Sequence, residues 1–265
     1  VHTAHIEVGW QKPMKHAVCN RMLLPFTDRV VAVSEAVRRS LIDKEGVSPH
    51  KTVVIANGIV AARFQKRGGV VSARRELGLR PSGALVGAVA RCRAEKGLRY
   101  LLDAVALLVS EGRDVAAAVV GDGPQREELE RLAGSLGIRD RVAFAGAVDN
   151  VPLWLQAFDV VVCPSVEESF GLAALEAQAA GRPVVATRVG GLAEILHDGR
   201  DALLVPARDP SAIAACVKRL MQGPELAVRL CEAGAENVRS KYGIEQTAKL
   251  YTDLYLKLFA ARRKA

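Results

Sequence analysis

The chain has 265 residues, half of them apolar, five cysteines and a formal net charge of +8. That apolar share supplies the core of one large or two smaller domains. The cysteines at 19, 92, 163, 216 and 231 are odd in number and lack disulfide or metal spacing, so they read as reduced, mostly buried thiols of a cytoplasmic protein. No apolar run reaches the length of a membrane span, no stretch reads as a signal peptide, and with aromatics at 5% and no recognition motif there is no case for nucleic-acid binding.

The charge excess is local. Residues 1–75 hold 13 Lys and Arg against 5 Asp and Glu, and the remainder holds 24 of each. Lys12, Lys15, Arg21 and Arg29 surround the apolar stretch 14–24. Such a basic amphipathic element suits the anionic inner face of the plasma membrane, and equally a helix packing its apolar side on a partner. His2, His5 and Glu7 do not make a metal site, because strand positions three apart point to opposite faces.

Apolar runs at 29–33, 52–56, 84–90, 115–121, 141–145, 159–163, 183–187 and 202–205 predict strands. Helical patterns follow at 35–45, 97–110, 125–136, 172–180 and 210–222, with a last helix over 244–261. The strand runs are continuous rather than alternating, which marks strands covered on both faces of a parallel sheet. Strand–helix alternation gives an α/β, doubly wound architecture, whose ligands bind beyond the carboxyl ends of the strands. Those ends carry 91–96, Gly121-Asp122-Gly123, Gly146, Glu168 and Thr187-Arg188.

Arg91 and Lys96 stand five apart directly after a strand, where a guanidinium fork and a mobile ammonium can clamp a diphosphate; Arg93 and Glu95 between them are expected to face solvent. Gly121-x-Gly123 tempts a dinucleotide reading, but Arg126 stands where a third glycine belongs, so a tight turn before a helix opened by Pro124 explains it better than NAD binding. In 168–191, Glu168 falls in a strand-to-helix loop. Glu176 lies about 7 Å along the helix that starts near Gly171, beside free N–H groups suited to phosphates or hydroxyls.

Glu168-x7-Glu176, VARCRAEKG at 89–97, GDGPQREEL at 121–129, FAG at 144–146, VAVSEAV at 31–37 and IANGI at 55–59 with Phe64 together resemble a retaining glycosyltransferase of family 4, the group 1 type with GT-B fold. The resemblance covers essentially the whole chain. It implies one complete Rossmann-like domain and part of a second: 1–58 as a remnant of the acceptor-side domain, 59–245 as the nucleotide-sugar donor domain, and 246–265 as a helix crossing back. On this reading the chain opens mid-fold and is a truncated product, with a poorly structured boundary at 64–69.

The resemblance implies that Arg91 and Lys96 bind the donor diphosphate. Glu168 then holds donor-sugar hydroxyls, helped by the backbone N–H groups of Phe170, Gly171 and Leu172; Glu176 holds the ribose, the loop at Gly146 lines the nucleobase, and His2 faces the donor sugar from a strand end. Catalysis thus falls to His2, Arg91, Lys96 and Glu168. Val60 stands where the family usually has Asp. The implied reaction moves a sugar from a UDP- or GDP-sugar to a sugar or lipid-linked acceptor, as in cell-envelope polysaccharide synthesis, with retention by front-face attack. No Asp-x-Asp pair occurs to bridge a metal and a diphosphate, so neither metal nor cofactor is expected. A sugar phosphorylase or nucleotide-sugar epimerase of the same fold, and a non-catalytic nucleotide-sugar-binding fragment, are the alternatives.

Overall fold

A computed structural model describes residues 1–4, 24–65, 68–80 and 82–263. His5, Glu7, Lys12, Lys15, Arg21 and most of the basic apolar stretch lie outside the described residues. Two wholly parallel sheets form. The smaller consists of β1 (His2–Ala4), β2 (Val30–Ala32) and β3 (Thr52–Val54) in that order, with α1 (Glu35–Glu45) between the last two. Ser34 caps α1 by accepting from Val37 N, and Gly46 ends it in the left-handed conformation.

The larger sheet holds β4 (Ala84–Val89), β5 (Val115–Val120), β6 (Val142–Gly146), β7 (Val160–Cys163), β8 (Val184–Thr187) and β9 (Leu203–Val205), ordered β6-β5-β4-β7-β8-β9. β4 therefore lies at the centre. The chain first winds outward through β5 and β6, then returns to β4 and winds the other way. The helices that follow β4 and β7 pack on opposite faces of the sheet at this switch, the place where such folds form a crevice.

Helices cover both faces, as continuous apolar strands demand. Against one face lie α3 (Leu98–Ser110), α4 (Arg126–Ser135) and α8 (Pro210–Gln222), burying Leu101, Leu102, Leu108, Leu129, Ile213 and Val217 among the sheet valines. The other core joins Phe158, Leu175, Leu192 and Ile195 to Val30, Ala32 and Val37, so it runs into the smaller sheet. That side carries α2 (Val70–Glu76), α5 (Val151–Ala157), α6 (Leu172–Ala179) and α7 (Gly190–Ile195).

α2, α5 and α7 span only six or seven residues, too short for a helical period to show in sequence, and none was expected there. α9 (Pro224–Lys241) is long but was also missed: two of its four buried positions are Gly234 and Asn237, which interrupt the apolar stripe. The stretch expected to be a loose boundary begins with Phe64, which is buried after a turn at Ala61–Arg63. α10 (Ile244–Arg262) follows. Ile59 N donates to Tyr242 O and Ile244 N to Ile59 O, so the linker and the start of α10 are tied together. Further along, Thr247 Oγ1 donates to Ala56 O at 3.0 Å and Tyr251 stands 3.4 Å from the Thr3 hydroxyl. No helix among the described residues is long and apolar enough to cross a membrane.

Candidate active site

The loop from β4 to α3 turns at Gly97, whose φ of +61° is left-handed and whose missing Cβ would fall 2.1 Å from the Pro164 carbonyl oxygen. Only glycine lets this loop lie so close to the one that leaves β7. Across the contact, Lys96 Nζ donates to Glu168 Oε2 at 2.8 Å. The two side chains are only 13% and 15% exposed, so the pair forms at the mouth of the crevice rather than in bulk water.

The carboxylate has one further partner, and the backbone of Glu168 has another. Ser165 Oγ donates to the same Glu168 oxygen at 3.2 Å, and the Glu168 carbonyl accepts from Gly191 N at 2.9 Å. Ser165 is itself fixed, because fully buried Thr187 donates to its carbonyl at 2.5 Å. Thr187, expected among the ligand-side groups, thus ties β8 to the loop after β7. Gly190, at φ +40°, places its missing Cβ position 2.0 Å from the Glu168 carbonyl oxygen, so α7 begins in direct contact with the loop that carries Glu168.

A cavity of about 270 Å³ opens here. Lys96, Ser165, Glu168 and the start of α6 line it, with Cys163 among the lining groups; Val33 and Asn57 close it from the smaller sheet. Of the expected residues, Lys96, Glu168, Phe170, Gly171 and Leu172 line the cavity. Phe170 turns its ring into the core, edge-on to Tyr242 at 6.0 Å. Burial, with the nearby Glu168 charge, pushes the Cys163 thiol up to about 12, which makes it unreactive.

The other expected residues stand apart from the cavity lining. Arg91 is exposed just beyond Ala90, and Gly146 ends β6, where its carbonyl accepts from Gly121 N at 2.8 Å. Arg126 crosses beside it, donating to Phe144 O at 3.2 Å and pairing with Glu130; α4 begins at Arg126 rather than at Pro124. Glu176 is half-buried on α6. Burial raises its carboxyl to about 7, opposed by the Arg63 guanidinium.

Two expectations are corrected. His2 stands two residues before the end of β1, where it pairs with Val30, three residues before the cavity-lining Val33, and it is not among the residues that line the cavity. Glu95 does not face solvent. It is buried at 7% exposure beside Arg93, 3.1 Å away, and its carbonyl accepts from Val166 N and Glu167 N, so this loop is a brace between β4 and β7.

Sequence reasoning missed Ser165 and Glu194, and it quoted Asn57 only within the motif at 55–59. Ser165 is the residue after Pro164, three before Glu168, and its spacing could have flagged it. Glu194 gave no local signal: its carboxylate accepts from the backbone of Glu35 at 2.8 Å and of Ala36 at 2.7 Å, across 159 and 158 residues. A larger depression, about 480 Å³, adjoins the same two loops through Glu95, Gly97, Val166 and Glu167, and extends to Tyr100, Glu128 and Arg208 without Lys96 or Glu168 in its lining. Among the described residues, no three His, Cys, Asp or Glu side chains are grouped to hold a metal.

Residues 83–223 match the family model described as glycosyl transferases group 1, and residues 1–63 match glycosyltransferase family 4. The chain belongs to the group 1 glycosyl transferases. It is 35% identical over 257 residues to D-inositol 3-phosphate glycosyltransferase 2 of Catenulispora acidiphila, an alignment covering 92% of this chain and 59% of that protein. The chain thus spans about three fifths of the length of the curated relatives it matches. Among solved structures, sucrose-phosphate synthase from Thermosynechococcus elongatus superposes with a TM-score of 0.85 at 30% identity, over 98% of this chain and 68% of that one. Anabaena HepE, solved with UDP and glucose, shares the fold at a TM-score of 0.85 and 22% identity, over 96% and 70% of the two chains.

Proposed function

We propose that the chain binds a nucleotide-sugar and that the protein it represents transfers the sugar, with retention, to an acceptor hydroxyl. The observation that carries this is the Lys96–Glu168 pair over a cavity at the topological switch of a doubly wound sheet. A diphosphate entering there takes Lys96 from Glu168, and the released carboxylate accepts from sugar hydroxyls. Arg91, at the same loop, adds its fork to the diphosphate. The N–H groups of Phe170, Gly171 and Leu172 open α6 and favour negative charge. Glu176 takes the ribose and the Gly146 loop the base.

In the transfer step the bond from the anomeric carbon to the diphosphate breaks, its electrons passing to the phosphate oxygen. The acceptor oxygen bonds to the same face of that carbon, and its proton passes to the departing phosphate. The leaving charge is met by Lys96, Arg91 and backbone amides, so no metal or cofactor is required.

We assign 1–58 to the acceptor side, 59–245 to the donor side and 246–265 to a helix returning to the first; the contacts of Thr247 with Ala56 and of Tyr251 with Thr3 support that division. The acceptor is a sugar or a lipid-linked molecule at the cytoplasmic face of the membrane. Curated relatives are named for D-inositol 3-phosphate, a cyclitol phosphate outside both classes, so it is assayed beside them.

Calorimetry with UDP and GDP tests the reading: one of them binds this chain in the micromolar to millimolar range, with no loss in EDTA. A folded sample that binds neither overturns the donor site. Chelation that abolishes transfer, with rescue by Mn²⁺ or Mg²⁺, overturns the metal-free mechanism.

A further inference from the structure

The start of α1 faces the larger unit, and its first amides have no partners within their own helix. Ser34 takes the third: its Oγ accepts from Val37 N at 3.1 Å and donates to Ser169 O at 2.7 Å, a buried bond between the two units. The first two amides, those of Glu35 and Ala36, go to the two carboxylate oxygens of Glu194. A negative charge at the positive end of a helix, chelated by two N–H groups, is a strong arrangement for a contact between units.

Glu194 is well placed to transmit this contact. It belongs to α7, whose second residue, Gly191, holds the Glu168 carbonyl. One short helix therefore grips the loop of Glu168 with its first turn and the start of α1 with its second. Val33, the residue before the capping Ser34, lines the cavity that Glu168 lines from the other side.

We propose that Glu194 is a positioning residue: by chelating the amides of Glu35 and Ala36 it seats Val33 over the cavity and sets the gap that encloses the sugar end of the donor. This rests on the donor-site reading above. The nucleotide end, at Arg91, Gly146 and Glu176, lies on elements that Glu194 does not touch, so loss of the contact loosens the sugar and spares the nucleotide.

The test uses the full chain as wild type, Glu194→Gln and Glu35→Pro. Glu194→Gln keeps the shape and removes the charge. Glu35→Pro deletes one amide from the opposite side of the contact at the first helical position, where proline is tolerated, and Ser34 already has the extended backbone (φ −155°, ψ 164°) that precedes proline. In amide hydrogen exchange, the wild type protects Glu35 and Ala36. Glu194→Gln speeds both by about tenfold, the worth of one charge-assisted hydrogen bond, and leaves Val37 unchanged. In calorimetry, both variants bind UDP-glucose or GDP-mannose about tenfold more weakly and bind UDP or GDP as the wild type does.

Unprotected wild-type amides, or equal weakening of nucleotide and nucleotide-sugar, overturn the proposal. A wild type that binds none of the four ligands overturns the donor-site reading instead, and protection at Glu35 and Ala36 still decides whether Glu194 joins the two units.

Discussion

Glu168 and Glu176 are one helix turn and a loop apart, yet they meet different surroundings. Glu168 is held by Lys96 and Ser165, whereas burial lifts the Glu176 carboxyl to about 7 against the pull of Arg63. In a full-length version of the protein, Glu168→Ala should leave free-nucleotide affinity unchanged and slow transfer, while Glu176→Ala should weaken the free nucleotide as well, each by about 1.5–3 kcal/mol; this chain alone is expected to bind nucleotide with weak transfer or none. Equal losses of nucleotide affinity in both variants refute that split. The lifted carboxyl also sets a pH dependence. Between 4.5, its ordinary value, and about 7 the folded chain keeps a proton that the unfolded chain has lost. Stability contributed at this site therefore falls as pH rises through that window. Glu176→Gln should flatten the decline, read from Tm between pH 4.5 and 8. If the charged form holds the ribose, nucleotide affinity should rise through the same window, with proton release visible as a buffer-dependent heat that Glu176→Gln abolishes. At this scale the strand-end loops drew attention to Lys96 and Glu168, which line the cavity, but not to Ser165, in the same loop as Glu168, and they misplaced Glu95. The sequence was mute for Glu194, whose partners are backbone atoms.

Among elements, the loops after β4 and β7 act as one piece, because Gly97 lies against Pro164 and the Glu95 carbonyl holds Val166 and Glu167. Gly97→Ala should drive the two loops apart. It forces a side chain into a left-handed backbone and a clash with a carbonyl, at a cost of about 1–3 kcal/mol, seen as a lower Tm with weakened UDP or GDP binding. A Gly97→Ala chain with unchanged Tm and nucleotide affinity contradicts that coupling. On the opposite side of α6, Asn237 of α9 donates to Gln178 and to the Ile195 carbonyl, while Gln178 donates to the Asp201 carbonyl. These bonds fasten α9 to the helix that carries Glu176. Asn237→Ala should lose about 1–3 kcal/mol in denaturant unfolding, since buried polar partners are left unmatched. Such clamps explain why α9 was not legible: of its four buried positions, Gly234 and Asn237 interrupt the stripe of Leu230 and Val238, and apolar periodicity does not register them.

For the whole molecule, continuous apolar runs were enough to reveal parallel sheets, and all eight strands read from such runs are present, seven of them trimmed and β6 shifted by one residue. Strand order was not legible, because it depends on which runs pair across long loops. The crevice at β4 and β7 is a product of that order. Charge is the other molecular-scale feature. If the basic residues of 1–75 serve an anionic surface, vesicle binding should rise with anionic lipid and fall with salt, as exposed charges are screened over about 10 Å at 0.1 M. Replacing Lys12, Lys15 and Arg21 by Glu should abolish it. Vesicle binding indifferent to salt and to these substitutions removes the membrane from the reading.

The bond from Glu194 to α1 has a consequence for inheritance. Every residue except proline carries a backbone N–H, so positions 35 and 36 are free to change identity while the junction stays intact. The junction therefore leaves no paired substitutions between 194 and its partners, only a bar on proline and the persistence of one carboxylate. Two halves of a molecule joined in this way can diversify their facing surfaces without having to rediscover how to meet.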